Sequence, residues 1–136
     1  VDLPNNAGRM RVIAGRYEDT VGPAHTFSPL NVWDLQLNQS QEITLHQPAG
    51  WSTALVVLEG EIVVNGEGNA REGQLLVLSQ KGEALHLAAG TNAKVLLMAG
   101  EPLQEPIVGY GPFVMNTKAQ IAEAVRDFNS GRFGQI

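Results

Sequence analysis

Hydrophobic and polar positions along the chain fall into short alternating runs, punctuated by glycine, proline and asparagine. In Asn31 to Leu37, Trp33, Leu35 and Leu37 face one way and Asp34 and Gln36 the other. Glu42 to His46 repeats this pattern, with Ile43 and Leu45 inward. A period of two is the mark of a half-buried strand. The centre of the chain is Thr53 to Gly66, TALVVLEGEIVVNG. Ala54 to Leu58 is apolar on both alternating faces, which predicts a strand covered on both sides. Gly60, between Glu59 and Glu61, marks a solvent-facing bend. Ile62 and Val64 then alternate with Glu61, Val63 and Asn65, and Asn65-Gly66 is a strong hairpin signal because both residues tolerate positive φ.

Further strands are expected around this pair. Met10 to Tyr17 forms a first strand, and Glu18 to Pro29 a loop broken at Gly22-Pro23 and Ser28-Pro29. Gly66 to Gly73 reads as a polar connection, Gln74 to Leu78 as a strand with an apolar middle, and Ala84 to Ala88 as a strand with Leu85 and Leu87 on one face. Lys94 to Ala99 reads as a second doubly buried strand. This cadence predicts an all-β sandwich or barrel over residues 10–99, after an N-terminal arm at 1–9. Residues 100–116, rich in proline and glycine, are expected to be irregular. Thr117-x-x-Gln120 resembles a capping box, and Ile121, Val125 and Phe128 form an apolar stripe, so a helix is expected over 117–129, ending before Gly131. All 136 residues are expected to form one domain.

Composition narrows the function. Hydrophobic residues make up 43% and charged residues 17%, too apolar a balance for a disordered chain. The net charge is −5 with no basic run, which disfavours direct nucleic-acid binding. There is no cysteine, hence no disulfide framework and no thiolate chemistry. No apolar run is long enough to span a bilayer and no secretory signal is visible, so no membrane partner and a cytoplasmic location are expected.

Small barrels of this cadence often hold a metal. The cupin pattern places His-x-His, then Glu, then a glycine around the first hairpin, with a further His later, so that imidazole and carboxylate ligands on neighbouring strands converge inside the barrel. With Gly60 as the closing glycine, His46 takes the first ligand position, Pro48 the second and Thr53 the place of the Glu. The later motif, counted from Gly73, has no His in register, and His86 lies beyond it. One lone His does not hold a metal, so no intact metal site and no cofactor are expected. His46, Trp51 and Thr53 remain as candidate ligand contacts at the barrel mouth, with Trp51 equally suited to packing. No Gly-x-Ser-x-Gly elbow, dinucleotide fingerprint or Walker loop is present.

The C-terminal third carries the most specific pattern. Gly100-Glu101-Pro102-Leu103-x-Glu105-Pro106 and Tyr110-Gly111-Pro112-Phe113-Val114-Met115-Asn116-Thr117 resemble the C-terminal cupin domain of the pirin family. Phe27-Ser28-Pro29-Leu30 with Asp34, Pro48-x-Gly50-Trp51 and Leu58-Glu59-Gly60-Glu61 agree with it. The resemblance implies a cupin barrel, a double-stranded β-helix or jelly roll, with one C-terminal α-helix. A typical pirin is a bicupin. Its first domain carries the iron ligands and the quercetin 2,3-dioxygenase activity reported for some members, while others act as nuclear transcription cofactors. The second domain generally lacks the ligands, and none can be carried over here. The chain is therefore expected to be a metal-free binding or protein-interaction module, leaning away from an enzyme. The alternative is a metal-dependent, quercetin 2,3-dioxygenase-like cupin enzyme using His46. Expected partners are a second copy of the chain and a small apolar ligand. The homodimer would form through Phe113, Met115, Ile121, Val125 and Phe128, or by exchange of the edge strand within Val1 to Tyr17.

Overall fold

The computed structural model describes residues 1–134. They divide into two compact units, the first spanning Val1–Pro102 and the second starting at Leu103.

The first unit is built from eleven strands: β1 (Gly8–Ala14), β2 (Arg16–Tyr17), β3 (Thr20–Val21), β4 (Leu30–Leu37), β5 (Glu42–His46), β6 (Ser52–Glu59), β7 (Glu61–Val64), β8 (Gly68–Arg71), β9 (Leu75–Val77), β10 (Ala84–Ala89) and β11 (Ala93–Gly100). Two antiparallel sheets hold most of them, in the orders β1-β4-β11-β6-β9 and β5-β10-β7-β8. Their inward rows meet in one core. Trp33, Leu35, Leu55, Val57, Val95 and Leu97 come from the larger sheet, and Ile43, Leu45, Ile62 and Leu87 from the smaller. Each row is the alternate-residue set of its strand, so the period of two in the sequence decides which side chains leave water. Tyr17 covers the edge of Trp33, with ring centroids 5.3 Å apart in a T-shaped contact.

The strands of the central hairpin lie where the pattern places them, and Asn65 and Gly66 turn the chain at φ 52° and 72°. Several expectations need correction. The first strand ends at Ala14, and Arg16–Tyr17 pairs instead with Thr20–Val21 inside the expected loop. Ala54 to Leu58 and Lys94 to Ala99 are buried on one face only; Ala54, Val56, Leu96 and Met98 are half-buried and Leu58 is exposed. The expected polar connection contains β8, whose Ala70 lies opposite Ile62 in β7 and is buried. β9 is an edge strand, and its Val77 is 78% exposed.

Of the segment expected to be irregular over 100–116, residues 101–107 carry no helix or strand, but the remainder is partly regular. β12 (Val108–Tyr110) and β13 (Phe113–Met115) form a hairpin, and α1 (Lys118–Asn129) lies against it. Thr117 caps α1 reciprocally with Gln120: its side chain accepts from the Gln120 N–H, and the Gln120 side chain accepts from the Thr117 N–H. The apolar stripe is shifted from the expected one. Ile121 and Ala124 are buried and Val125 is half-buried, but Phe128 is 62% exposed. Phe128 instead meets Phe113 and Phe133, with centroids 6.3 Å from each.

Candidate functional site

A cleft with a buried polar floor opens between the ends of β5, β6, β9 and β10. Its volume is about 310 Å³, and Gln47, Trp51, Thr53, Leu78 and Leu85 are among the residues that line it. Strand phase places the polar members. Ile43 and Leu45 face the core on β5, so Gln47, two residues on, faces inward as well, and it is 6% exposed. Thr53, at the start of β6, shares the inward row with Leu55 and Val57 and is buried. Backbone bonds hold the walls: the Gln47 N–H donates to Glu83 O at 2.9 Å, the Leu78 N–H to Thr53 O at 2.9 Å and the Gly50 N–H to Gln80 O at 3.2 Å. Gln80 Nε2 adds a bond to Ser52 Oγ at 2.8 Å.

A buried amide pair lies behind this floor. Asn31, on β4, donates from Nδ2 to Gln47 Oε1 at 2.8 Å. Its own Oδ1 accepts the Arg16 backbone N–H at 3.1 Å. That backbone donor fixes the Asn31 amide, and the Asn31 amide in turn fixes Gln47, because reversing either would set donor against donor. Gly15 makes room for the arrangement: at φ 75°, a Cβ there would lie 2.1 Å from Asn31 Oδ1. Gln47 Nε2 is then left buried without a partner, as is Trp33 Nε1. A buried donor with no acceptor is uncommon and costs stability.

The expected site residues separate. Trp51 and Thr53 line the cleft, and Trp51 also packs on the core. His46 does not line it. It lies out of phase with Leu45 and Gln47 and is exposed, so the inward position nearest the first metal-ligand place belongs to Gln47. His86 is also on the outer side of its sheet, with Nδ1 3.3 Å from Thr44 Oγ1 and Nε2 3.5 Å from Glu42 Oε2. His25 is exposed in the loop after β3. Among the described residues, no group of three or more His, Cys, Asp and Glu side chains is placed to hold a metal ion. Among the described residues, the buried polar side chains of the barrel, apart from the Trp33 indole, are two amides and a hydroxyl, from Asn31, Gln47 and Thr53. Of the expected interface residues, Ile121 is buried, Phe113, Met115 and Val125 are half-buried, and Phe113 and Phe128 belong to the aromatic cluster of the second unit. The sequence signal for Gln47 is the unbroken phase from Ile43, which motif spacing overrode; Asn31 is likewise in phase with Trp33.

The family model for the pirin C-terminal cupin domain matches residues 32–134. The chain belongs to the pirin C-terminal cupin domain family. A Pseudomonas aeruginosa protein provisionally named a quercetin 2,3-dioxygenase is 47% identical to this pirin domain over 133 residues, which cover 98% of the chain and 46% of that protein. Mouse pirin is 29% identical over 127 residues, covering 90% of the chain and 44% of pirin. The crystal structure of a quercetin 2,3-dioxygenase from Acinetobacter baumannii superposes with a TM-score of 0.91 at 51% identity, over 98% of the chain and 46% of that structure. This pirin domain thus spans about half the length of the relatives it matches, and its barrel is a cupin fold.

Proposed function

We propose that this pirin domain is a non-catalytic, metal-free cupin that acts as a binding or protein-interaction module. The observation that carries the reading is the inward donor set. Asn31, Gln47 and Thr53 offer neutral amide and hydroxyl groups where a cupin metal needs imidazole and carboxylate, and all three histidines lie outside that set. In this reading the activity named for the relatives belongs to the part of those proteins that this chain does not span. The activity for which those relatives are named favours a second reading, a metal-dependent dioxygenase-like enzyme using His46. Metal analysis of the purified protein separates the two. Substoichiometric iron, nickel and zinc, unchanged in His46→Ala, is the expected result. A stoichiometric metal lost in His46→Ala overturns the module.

The module is also proposed to self-associate. Support comes from the outer face of the larger sheet, where Val32, Met98, Ala54 and Val77 follow one another across four strands, beside Leu96, Val56 and Leu75. A continuous apolar face of this kind is commonly covered by a partner. Light scattering on wild type and Val77→Asp is the check: a dimer that the substitution returns to monomer is expected, and a wild-type monomer at high micromolar concentration refutes it.

A further inference from the structure

We propose that the barrel-mouth cleft binds a small aromatic ammonium ion that carries a hydroxyl group, the hydroxyl meeting Thr53 at the floor and the charge lying at the rim beside Glu67 and Glu83. The proposal rests on the reading of this domain as a binding module and names the chemistry of what it binds. Two independent observations meet in this cleft of about 310 Å³, at the small end of the range that accommodates organic ligands. One is a buried hydroxyl still open to the cleft. Thr53 lines it, is 8% exposed, and makes no side-chain hydrogen bond among the described residues. Its hydroxyl is nevertheless not sealed: the buried groups that lack both a partner and contact with solvent are Trp33 Nε1 and Gln47 Nε2. The other is the charge at the rim. Glu67 and Glu83 are exposed there, and neither is in an ion pair among the described residues.

Burial grades the cleft from floor to rim and so orients the occupant. At the floor, the Leu78 N–H holds the Thr53 backbone in the sheet at 2.9 Å, which leaves the hydroxyl as the group Thr53 offers, as donor or acceptor. Its complement is another hydroxyl, which can take either part. Half-buried Trp51 and Leu78 form apolar walls, and the indole gives a broad contact for a flat ring. At the rim the two carboxylates outnumber the single ammonium of Lys81, so a cation is drawn to the mouth and an anion is repelled. Keeping the charge at the exposed end also avoids the cost of burying it. No covalent step is involved.

Tyramine is the probe. Phenethylamine lacks its hydroxyl, para-ethylphenol lacks its charge, and para-hydroxyphenylacetate reverses that charge. In nitrogen-proton NMR titrations of the wild-type domain, tyramine is expected to move the Thr53 backbone amide and the Trp51 indole resonances together. Phenethylamine and para-ethylphenol are expected to bind about two- to fivefold more weakly, and the carboxylate more weakly still. Raising the salt should erase the advantage of tyramine over para-ethylphenol and keep its advantage over phenethylamine. Thr53→Val keeps the shape of the side chain and loses the hydroxyl, so it should weaken tyramine about fivefold and leave phenethylamine unchanged. If the Thr53 and Trp51 resonances stay unmoved at millimolar tyramine, the proposal is wrong, and this needs no variant to fold. Equal binding of phenethylamine or of the carboxylate also overturns it. Metal content measured on the same sample keeps the two readings apart. A stoichiometric metal defeats the metal-free module and this proposal with it, whereas a metal-free protein that ignores tyramine defeats only this proposal.

Discussion

Replacing Gln47 by leucine should destabilise the wild-type protein yet stabilise a variant that already lacks Asn31. In the wild type, the pair satisfies Asn31 Nδ2, Gln47 Oε1 and the Arg16 N–H and strands only Gln47 Nε2. Asn31→Leu removes two hydrogen bonds, strands Gln47 Oε1 beside the donor already stranded, and frees the half-buried Arg16 N–H. Each unsatisfied buried group costs about 1–3 kcal/mol, so the loss should be about 2–4 kcal/mol. Gln47→Leu alone exchanges one stranded donor, Gln47 Nε2, for another, Asn31 Nδ2. Its net effect is one lost hydrogen bond, about 1 kcal/mol. Added to Asn31→Leu, the same substitution removes both stranded Gln47 atoms and should restore about 1–3 kcal/mol. The sign change is the diagnostic, because no sum of independent effects produces it. Urea unfolding of the four proteins, followed by tryptophan fluorescence with buried Trp33 as reporter, measures the cycle. If Gln47→Leu destabilises both backgrounds equally, the two amides are not coupled and the account of the cleft floor fails.

Three further outcomes test other parts of the structure. Leu97→Ala, at a fully buried position of a central strand, should cost about 2–5 kcal/mol, while Leu75→Ala on the exposed edge strand should stay within about 0.5 kcal/mol by the same denaturation assay. Thr117→Ala removes half of the capping box and should cost the α1 segment about 1 kcal/mol, read as faster amide hydrogen exchange at Gln120. Burial, and then the neighbouring Glu18 carboxylate, hold the Tyr17 phenol above its ordinary 10.0. The unfolded chain therefore gives up that proton first, and stability should be intact below pH 10.0 and decline as pH rises beyond it; Tyr17→Phe should flatten that decline in alkaline denaturation curves.

The barrel was largely legible because its strands obey one rule. Wherever a run alternates cleanly, as at Trp33-Leu35-Leu37 or Ile43-Leu45, the buried row is the apolar row. The elements missed are those whose residues carry little preference of their own. Gly68–Arg71 has no β-branched or aromatic side chain, and it is a strand because β7 offers it a ladder of partners. The β12–β13 hairpin lies in a stretch whose glycines and prolines signal breaks, and its turn at Gly111 makes use of one of them. The doubly apolar runs at Ala54 to Leu58 and Lys94 to Ala99 depart from expectation for another reason. An apolar outer row shows that a surface is suited to being covered, and the described chain leaves Leu58 and Val77 exposed. At the site, motif spacing and strand phase disagreed by one residue. Counting back from Gly60 selected His46, whereas phase from Ile43 selects Gln47, and a one-residue step exchanges inside for outside.

That exchange bears on what the barrel is for. A cupin interior that only had to hold its sheets together would be most stable with apolar side chains at positions 31, 47 and 53, since matched replacement of a buried polar pair is close to neutral and removal of a stranded donor is favourable. The floor instead carries two amides locked in a defined orientation by a backbone N–H, with glycine at position 15 leaving the space that orientation needs. The arrangement leaves one N–H, that of Gln47 Nε2, buried without a partner at the end of the chain of bonds. A cost of about 1–3 kcal/mol for that N–H is a large part of a small domain's stability. A polar floor is thus kept at a cost that packing alone does not explain, and the indole N–H of Trp33, also buried without a partner, adds to that cost.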